Sequence, residues 1–427
     1  MTRRDLAYLL PLLAVYLLAL AFVPAHPDDE ASYITLAERL THGTYVTGDQ
    51  GALLDANPMS PDLWFGPGLP AILAPLVAVN APTNVLRFVG PLFLFGAMLL
   101  LFVLARDRWG RRVALISTYG VGLYLPFLTL LPNLHSEVPA IFFIAAAMLA
   151  LSRHVNGGGW LSFAAAAVAL AALALTRVAY GWVLTAMLVV LAVWWLVRRS
   201  SGAGRAASIV AVALVLCIPW LAYTHEKTGR LFVWGNSGAL SLYWMASPYP
   251  GDLGDWQKAD EAFTNPALAP HRAFFASLRG LTLAEQNARI EHRALRNIAD
   301  HPEKYAKNIA ANVSRMLFNS PYSRTSEQAN DIVYALPNAL VVGAVALCLL
   351  VLIPRRRKLP PETGPFVVLA AVAFALHALL SAYPRMLMPI VPVLAWLTTL
   401  ALVELGILRA EAPIGAPART PAPTGNA

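Results

Sequence analysis

Three consecutive carboxylates, Asp28, Asp29 and Glu30, follow the first long apolar run of the 427-residue chain. Apolar residues then recur at helical spacing as far as Leu40, which predicts an amphipathic helix with the acids at its N-terminus. Acids at that position cap free N–H groups and suit the helix dipole, which lowers their pKa. Partial burial raises the pKa instead and suits a general base that takes a proton from a hydroxyl. Capping and proton transfer are both consistent with the sequence.

Two arginines and a His/Glu pair stand at the edges of other apolar runs. Arg385 follows Tyr383 and Pro384 and directly precedes the run MLMPIVPVLAW. A guanidinium binds oxyanions in a bidentate manner, and snorkelling of an interfacial arginine is the alternative explanation of its position. Arg177 stands at a turn between two apolar runs, where structural pairing is an alternative to binding an anion. His135 and Glu137 are candidates for substrate binding because ionisable residues at a span edge are often functional, with helix capping as the competing explanation.

Aromatic side chains cluster around a glycine-rich stretch at residues 235–252. Trp234, Tyr243 and Trp244 are candidates for lining a ligand groove, although such residues more often anchor a protein at the membrane interface. No His, Cys or Asp cluster has the spacing of a metal site, and the acidic pair at residues 28–29 is not an Asp-x-Asp motif. We therefore expect chemistry that needs neither a metal nor another cofactor.

The composition indicates an integral membrane protein with many spans. Hydrophobic residues make up 58% of the chain and charged residues 13%, whereas soluble domains carry about 25% charged residues. The formal net charge is +8, but the position of the basic residues informs orientation and does not indicate nucleic-acid binding. Cys217 and Cys348 lie in separate apolar runs and suggest neither a disulfide framework nor a zinc motif.

About ten segments are apolar enough to cross a bilayer, which requires roughly 20 residues. They are residues 6–24, 85–105, 113–131, 138–152, 160–176, 178–197, 207–224, 332–353, 365–381 and 386–405. The first is interpreted as an uncleaved transmembrane helix rather than a signal peptide, because it is long for a signal and more spans follow. The predicted fold class is an all-α polytopic membrane protein.

Clusters of basic residues orient the spans. Residues 106–112, 198–205 and 354–358 fall on the same side as Arg3 and Arg4, and the positive-inside rule makes that side cytoplasmic. The predicted division is a first transmembrane helix at 1–24, an outer loop at 25–84, a transmembrane bundle at 85–224, an outer loop domain at 225–330, C-terminal transmembrane helices at 331–408 and a disordered cytoplasmic tail at 409–427.

The outer loops are predicted to contain helices of their own. Residues 66–79 are apolar but short, and a full crossing there would invert the side of residues 106–112, so a re-entrant or interfacial helix is expected. The stretches TLAE (282–285) and DHPE (300–303) have the spacing of capping boxes. From Tyr305 apolar residues recur near helical period, which fits a helix that lies on the outer leaflet or packs against other loop helices.

Several short motifs in a fixed order carry a family resemblance. DEASY (29–33) follows the first span, and GPGLPAILAP, LHSEVPAIFF, LTRVAYGWVL, HPEKYAKNIAANVSRML and YPRMLMPIVP follow in turn. The set resembles the GT-C superfamily of glycosyltransferases, with the protein O-mannosyltransferase-like and aminoarabinose-transferase-like enzymes nearest. The resemblance covers most of the chain and implies a GT-C-like helix bundle.

The resemblance also implies a mechanism. A sugar would move, with inversion, from a polyprenyl-phosphate donor to an acceptor hydroxyl at the outer face. Asp29, with Asp28 or Glu30 as alternatives, would orient or deprotonate that hydroxyl. Arg385, beside Tyr383, would stabilise the leaving phosphate, with the arginine at position 177 as a second candidate. The aromatic residues at positions 234, 243 and 244 would stack on sugar rings in an acceptor groove.

The chain departs from the family pattern in two places. Some members carry Lys-Pro-Pro where this chain has Gly66-Pro67-Gly68, so no lysine there can hold the donor phosphate. YPRM replaces the commoner order RYLL, which leaves the role of Arg385 open. The acceptor is expected to be a lipid, glycan or protein, and the location a bacterial inner membrane with both termini in the cytoplasm. A lipid or polysaccharide flippase and a non-catalytic membrane assembly subunit are the alternatives.

Overall fold

The computed structural model describes residues 1–25, 29–45, 63–324 and 331–411. These residues form α-helices and short 3₁₀ turns, with no β-strand among them. The helices of the first half are α1 Arg3–Phe22, α2 Glu30–Thr41, α3 Gly68–Ala78, α4 Thr83–Leu86, α5 Val89–Trp109, α6 Arg111–Gly122, α7 Leu125–Thr129, α8 Glu137–Val155, α9 Trp160–Thr176, α10 Ala179–Arg198, α11 Ser201–Leu216 and α12 Ile218–Thr228.

The described residues of the second half are also organised as α-helices and short 3₁₀ turns. Its helices are α13 Ser237–Met245, α14 Glu261–Thr264, α15 Ala269–Ala276, α16 Leu283–Asp300, α17 Pro302–Phe318, α18 Asp331–Leu352, α19 Thr363–Leu379 and α20 Val391–Glu404. The 3₁₀ turns are Pro266–Leu268, Pro384–Met386 and Met388–Ile390. The all-α fold class is therefore confirmed for the described residues.

Six helical segments in the described part of the chain are long and apolar enough to cross a membrane, or seven if the bent pair α11–α12 counts as one span. The helices α3, α9 and α19 are apolar but shorter. These lengths confirm an integral membrane architecture. They do not reach the predicted number of about ten spans, which stays a prediction.

Ion pairs gather helix ends at one end of the bundle, which we call the basic end. They join Asp5 to Arg106 and Arg111, Asp107 to Arg153, and Glu404 to Arg355. The backbone N–H of Arg111 also donates to the Glu411 carboxylate at 2.9 Å. Asp5 and Glu411 therefore place the start and the end of the described chain at the same end of the bundle.

Helices α5 and α8 show how the chain crosses between the two ends. Their C-terminal ends meet at the basic end through the 3.0 Å contact between Asp107 and Arg153. Their N-terminal ends meet at the opposite end, where the Glu30 carboxylate binds both Arg87 and the Leu134 N–H. The two helices are therefore parallel, and the connection through α6 and α7 must return across the bundle in two pieces. The predicted span at 113–131 is broken in this way.

The segment from α13 to α16 forms a helical domain with its own core, and this domain covers part of the Glu30 end. Tyr243, Trp244 and Phe275 lie in its hydrophobic core. The predicted capping box at 282–285 is present at the start of α16. The predicted box at 300–303 is wrong, because Asp300 ends α16 and α17 begins at Pro302 without a side-chain cap.

Asp252 is held by a buried polar cluster inside this domain. Its carboxylate lies 2.9 Å from the ring Nε2 of His271 and 2.8 Å from Nη2 of Arg324, and it accepts a hydrogen bond from Ser247. Burial alone raises the pKa of the carboxyl. The hydrogen bonds from His271 and Ser247, together with the charge of Arg324, outweigh burial and hold the pKa of Asp252 below its usual range.

Candidate active site

Four separate parts of the chain meet at the Glu30 end of the bundle. Asp29 is the residue before α2, Glu137 is the first residue of α8, and Arg177 follows the last residue of α9. Arg385 lies in the 3₁₀ turn Pro384–Met386 that leads into α20. The structure thus brings together two acids and two arginines that the sequence suggested separately, and the predicted contact of Glu137 with substrate stays a prediction.

Glu137 is the centre of this group. Its side chain is 2% exposed, and its Oε1 lies 2.7 Å from Nη1 of Arg177 and 3.5 Å from Nε of Arg385. Arg177 also donates to Ser136 Oγ at 3.2 Å. A buried carboxylate is strongly unfavourable without partners, so Glu137 keeps its contacts with both arginines. These contacts hold the two guanidinium groups next to each other. Ser136 precedes α8 but makes no capping hydrogen bond with its side chain, so it serves Arg177 instead.

Asp29 and Arg385 form the accessible edge of the group. Nη1 of Arg385 lies 2.8 Å from Oδ2 of Asp29, and both side chains are 26% exposed. Asp29 occupies the N-cap position of α2, yet its side chain makes no capping hydrogen bond. The capping explanation therefore does not account for Asp29, whose carboxylate faces a guanidinium 356 positions further along the chain.

Glu30 is engaged in a different way. Arg87 binds both of its carboxylate oxygens, at 2.9 and 2.7 Å, and the Leu134 N–H donates to it at 3.1 Å. Its side chain is 7% exposed. These contacts tie α2 to the start of α5 and to the turn before α8, which suits a structural role. Asp28 lies outside the described residues.

Tyr33 is a residue of this site that the sequence did not single out. It lies one turn into α2, is 2% exposed and packs against Phe65 with ring centroids 4.6 Å apart. Burial raises the pKa of its phenol, and the negative charges of Asp29 and Glu137 raise it further. Tyr33 therefore stays protonated. The sequence did hold a signal for Tyr33: it lies four residues after Asp29, and residues four apart lie on the same face of a helix.

The two glycines of Gly66-Pro67-Gly68 have a steric explanation. A Cβ atom at Gly66 would lie 2.0 Å from the carbonyl oxygen of Leu175, and one at Gly68 would lie 2.4 Å from Oγ1 of Thr176. The chain before α3 thus packs against the end of α9 too closely for a side chain. The lysine that some GT-C enzymes carry here does not fit this packing.

Tyr383 links the Arg385 turn to the helical domain. Its hydroxyl donates to the Trp256 carbonyl oxygen at 3.0 Å, and its ring stacks on Tyr322 with centroids 6.0 Å apart. Its predicted contact with the donor phosphate stays a prediction, as does the substrate role of His135, which is 8% exposed.

The three aromatic candidates for sugar stacking are buried. Trp234 packs beside Gly181, where a Cβ atom would come within 2.0 Å of the indole. Tyr243 bonds to Nδ1 of His271 at 2.9 Å, and Trp244 lies in the same core. Stacking on a sugar would require these rings to leave their present packing. Their role as a substrate groove stays a prediction.

No group of three or more His, Cys, Asp or Glu side chains in the described ranges is placed to hold a metal ion. Metal independence stays a prediction. The chemistry that this site itself offers is a carboxylate able to accept a proton beside a guanidinium able to hold an anion, with a second guanidinium behind them.

Comparisons with solved structures gave similar folds over most of the chain. The archaeal oligosaccharyltransferase AglB from Archaeoglobus fulgidus, in complex with an inhibitory peptide and a dolichol-phosphate, is 15% identical with a TM-score of 0.49; the alignment covers 94% of this chain and 50% of that one. This chain thus spans about half of AglB. ArnT from Cupriavidus metallidurans bound to undecaprenyl phosphate is 15% identical with a TM-score of 0.43, covering 92% of this chain and 77% of that one.

The same ArnT in the apo state is 14% identical with a TM-score of 0.41. AglB and ArnT are similar to this chain in fold. With TM-scores below 0.5, they assign no substrate and no site residue to this chain. No family profile and no curated protein sequence matches it.

Proposed function

We propose that this protein is an integral-membrane glycosyltransferase that moves a sugar from a polyprenyl-phosphate donor to a hydroxyl of a lipid, glycan or protein. The observation that carries the proposal is the pair Asp29–Arg385, 2.8 Å apart and 26% exposed on each side, above the buried Glu137. Sugar transfer from a lipid phosphate needs a base for the acceptor and a cation for the leaving group. The accessible edge of the site offers one of each.

Arg385 and Arg177 would hold the donor phosphate. The donor is too apolar to leave the membrane, so its phosphate lies at headgroup depth and requires a cation fixed at that depth. Both arginines lie at the ends of apolar segments and are oriented by Glu137. A phosphate oxygen that binds Arg385 competes with Asp29 for the guanidinium, so donor binding would free the carboxylate.

Asp29 would then accept the proton of the acceptor hydroxyl. The acceptor oxygen forms a bond to the anomeric carbon from the face opposite the phosphate, and the bond from that carbon to the phosphate oxygen breaks. The electron pair leaves with the lipid phosphate, whose new charge the two guanidinium groups stabilise. Attack from the opposite face gives inversion at the anomeric carbon. The type of sugar transferred, hexose or pentose, is not specified by these contacts.

The basic clusters support an outer location for this site. Arg106, Arg111, Arg153 and Arg355 lie at the basic end, opposite the end that carries Glu30 and the site. By the positive-inside rule the basic end faces the cytoplasm and the site faces outward. We therefore propose a plasma-membrane enzyme with both ends of the described chain on the cytoplasmic side.

Binding of labelled polyprenyl phosphate to purified protein in nanodiscs tests the donor site. We expect Arg385→Ala to weaken binding by about tenfold or more, because a charge-assisted hydrogen bond contributes roughly 1.5–3 kcal/mol. Arg355→Ala is the matched control, since that arginine pairs with Glu404 at the basic end. Equal affinities for wild type and Arg385→Ala would refute the donor site. Movement of intact lipid-linked sugar across the bilayer, with no sugar transfer, would indicate a flippase.

A further inference from the structure

The segment that carries Arg385 is an irregular linker between two helices. α19 ends at Leu379, and residues 380–383 run without helical structure to the 3₁₀ turn Pro384–Met386. Leu380 and Tyr383 have extended backbone angles. A linker of this kind does not fix the position of a guanidinium by its own hydrogen bonds, so the fixing contacts must come from elsewhere.

Asn312 of α17 supplies many of these contacts. The residue is fully buried. Its Oδ1 accepts a hydrogen bond from the Ala382 N–H at 2.9 Å. Its Nδ2 donates to the carbonyl oxygens of His377 at 3.1 Å, Ala378 at 3.0 Å and Leu380 at 2.6 Å. One side chain thus binds both the end of α19 and the linker that follows it.

Arg315 supports Asn312 from the next turn of α17. Its Nη2 donates to Oδ1 of Asn312 at 2.9 Å, and its Nε donates to the Ala382 carbonyl oxygen at 3.2 Å. The side chain is 0% exposed and donates further to the Pro321 carbonyl oxygen at 2.9 Å. The amide oxygen of Asn312 is therefore held in place while it holds the linker.

We infer that Asn312 is a positioning residue for Arg385: it fixes residues 380–382 so that the guanidinium stands against Asp29 and the donor phosphate. The inference rests on the proposed function. Its physical basis is preorganisation, because a misplacement of about 1 Å in a binding group can cost up to roughly 10²-fold in activity. The hydrogen bonds of Asn312 go to the linker, to the end of α19 and to Arg315, so its effect on Arg385 must pass through the linker.

Asn308 is a matched control on the same helix, one turn earlier. It is also fully buried, and its Nδ2 donates to the carbonyl oxygens of Met245 at 2.9 Å and Ser247 at 3.2 Å. These partners belong to the helical domain and not to the Arg385 linker. Both substitutions remove buried hydrogen bonds made by α17, and only Asn312→Ala releases the linker.

The test measures binding of polyprenyl phosphate to folded Asn312→Ala, Asn308→Ala and Arg385→Ala proteins in nanodiscs, together with thermal stability. We expect both asparagine variants to lose stability, and only Asn312→Ala to weaken binding, by about five- to tenfold. Equal affinities for the two asparagine variants would overturn the positioning role. A normal affinity in Arg385→Ala would instead overturn the donor site itself, and the positioning role with it.

Hydrogen exchange of the wild-type protein gives a second readout should Asn312→Ala fail to fold. The positioning role requires a linker that is ordered before the donor binds, so the Ala382 amide should exchange slowly without lipid and change little when polyprenyl phosphate is added. Fast exchange without lipid, followed by strong protection on addition, would show that the donor and not Asn312 orders the linker.

Discussion

Asp29→Asn should separate donor binding from sugar transfer. The substitution keeps the shape of the side chain but removes its charge and its capacity to accept a proton. In the structure that charge pairs with Arg385 at 2.8 Å, and donor phosphate would have to displace it. The variant should therefore bind polyprenyl phosphate at least as well as wild type while it loses most of its transfer activity.

The size of both effects follows from the site. Both partners of the pair are 26% exposed, and ion pairs open to solvent contribute about 0.2–1 kcal/mol. Since 1.4 kcal/mol corresponds to a factor of ten, affinity for polyprenyl phosphate should rise by no more than about fivefold. Loss of a general base lowers the rate by about 10²–10⁴-fold.

The assay pairs equilibrium binding of polyprenyl phosphate with single-turnover release of polyprenyl phosphate from its sugar-linked form. Asp107→Asn is the control, because it removes a carboxylate that pairs with two arginines at the basic end. Transfer by Asp29→Asn within a few-fold of wild type would refute its role as base. A binding loss of tenfold or more would show instead that Asp29 is needed to hold Arg385 in place.

Four further outcomes follow from the structure. A cysteine at Ala276 in the helical domain should react with an impermeant reagent in intact cells, and one at Arg357 only after permeabilisation; the reverse pattern would invert the topology. Glu30→Gln should lower the melting temperature, because hydrogen bonds to charged groups contribute about 1.5–3 kcal/mol each, and the folded variant should keep its transfer rate; a folded but inactive variant would make Glu30 the base. The folded-state pKa of Asp252 is lowered, so its carboxylate stabilises the fold fully above the unfolded-state pKa of about 3.9, and this stabilisation is lost as the pH falls through the folded-state pKa. Asp252→Asn should therefore lower the melting temperature at neutral pH and make the melting temperature less dependent on pH in the acid range. Gly68→Ala should destabilise the protein by roughly 1–3 kcal/mol through overpacking, and an unchanged melting curve would contradict the close approach to α9.

The sequence predicted the all-α fold and named Asp29, Glu137, Arg177 and Arg385 of the candidate site, whose roles stay predictions. Long apolar runs are a strong local signal, and the acids before α2 and the arginine before α20 stand at the edges of such runs. The break in the span at 113–131 was less visible, although Gly120, Gly122 and Pro126 lie within it. A mean hydropathy over a window does not register a turn that apolar residues make.

The pairing of charges at the site is a long-range property. Glu30 meets Arg87 and the turn before α8, 57 and 104 positions away, and no spacing rule reaches that far. The buried face of α17 was predicted only in part. Its apolar period suggested the face Ile309, Val313, Met316 and Leu317, and of these Met316 is buried. Asn308 and Asn312 are fully buried as well, because the partners of α17 include backbone groups that need hydrogen bonds.

Mass spectrometry of envelope glycolipids and glycans from the native host tests sugar transfer most directly. A deletion strain should lack a sugar that the wild-type strain carries, and it should accumulate the matching polyprenyl-phosphate sugar. Wild-type protein should restore the modification, and Asp29→Asn present at the same level in the membrane should not. A deletion strain with an unchanged set of sugars, or full restoration by Asp29→Asn, would contradict the proposed glycosyltransferase.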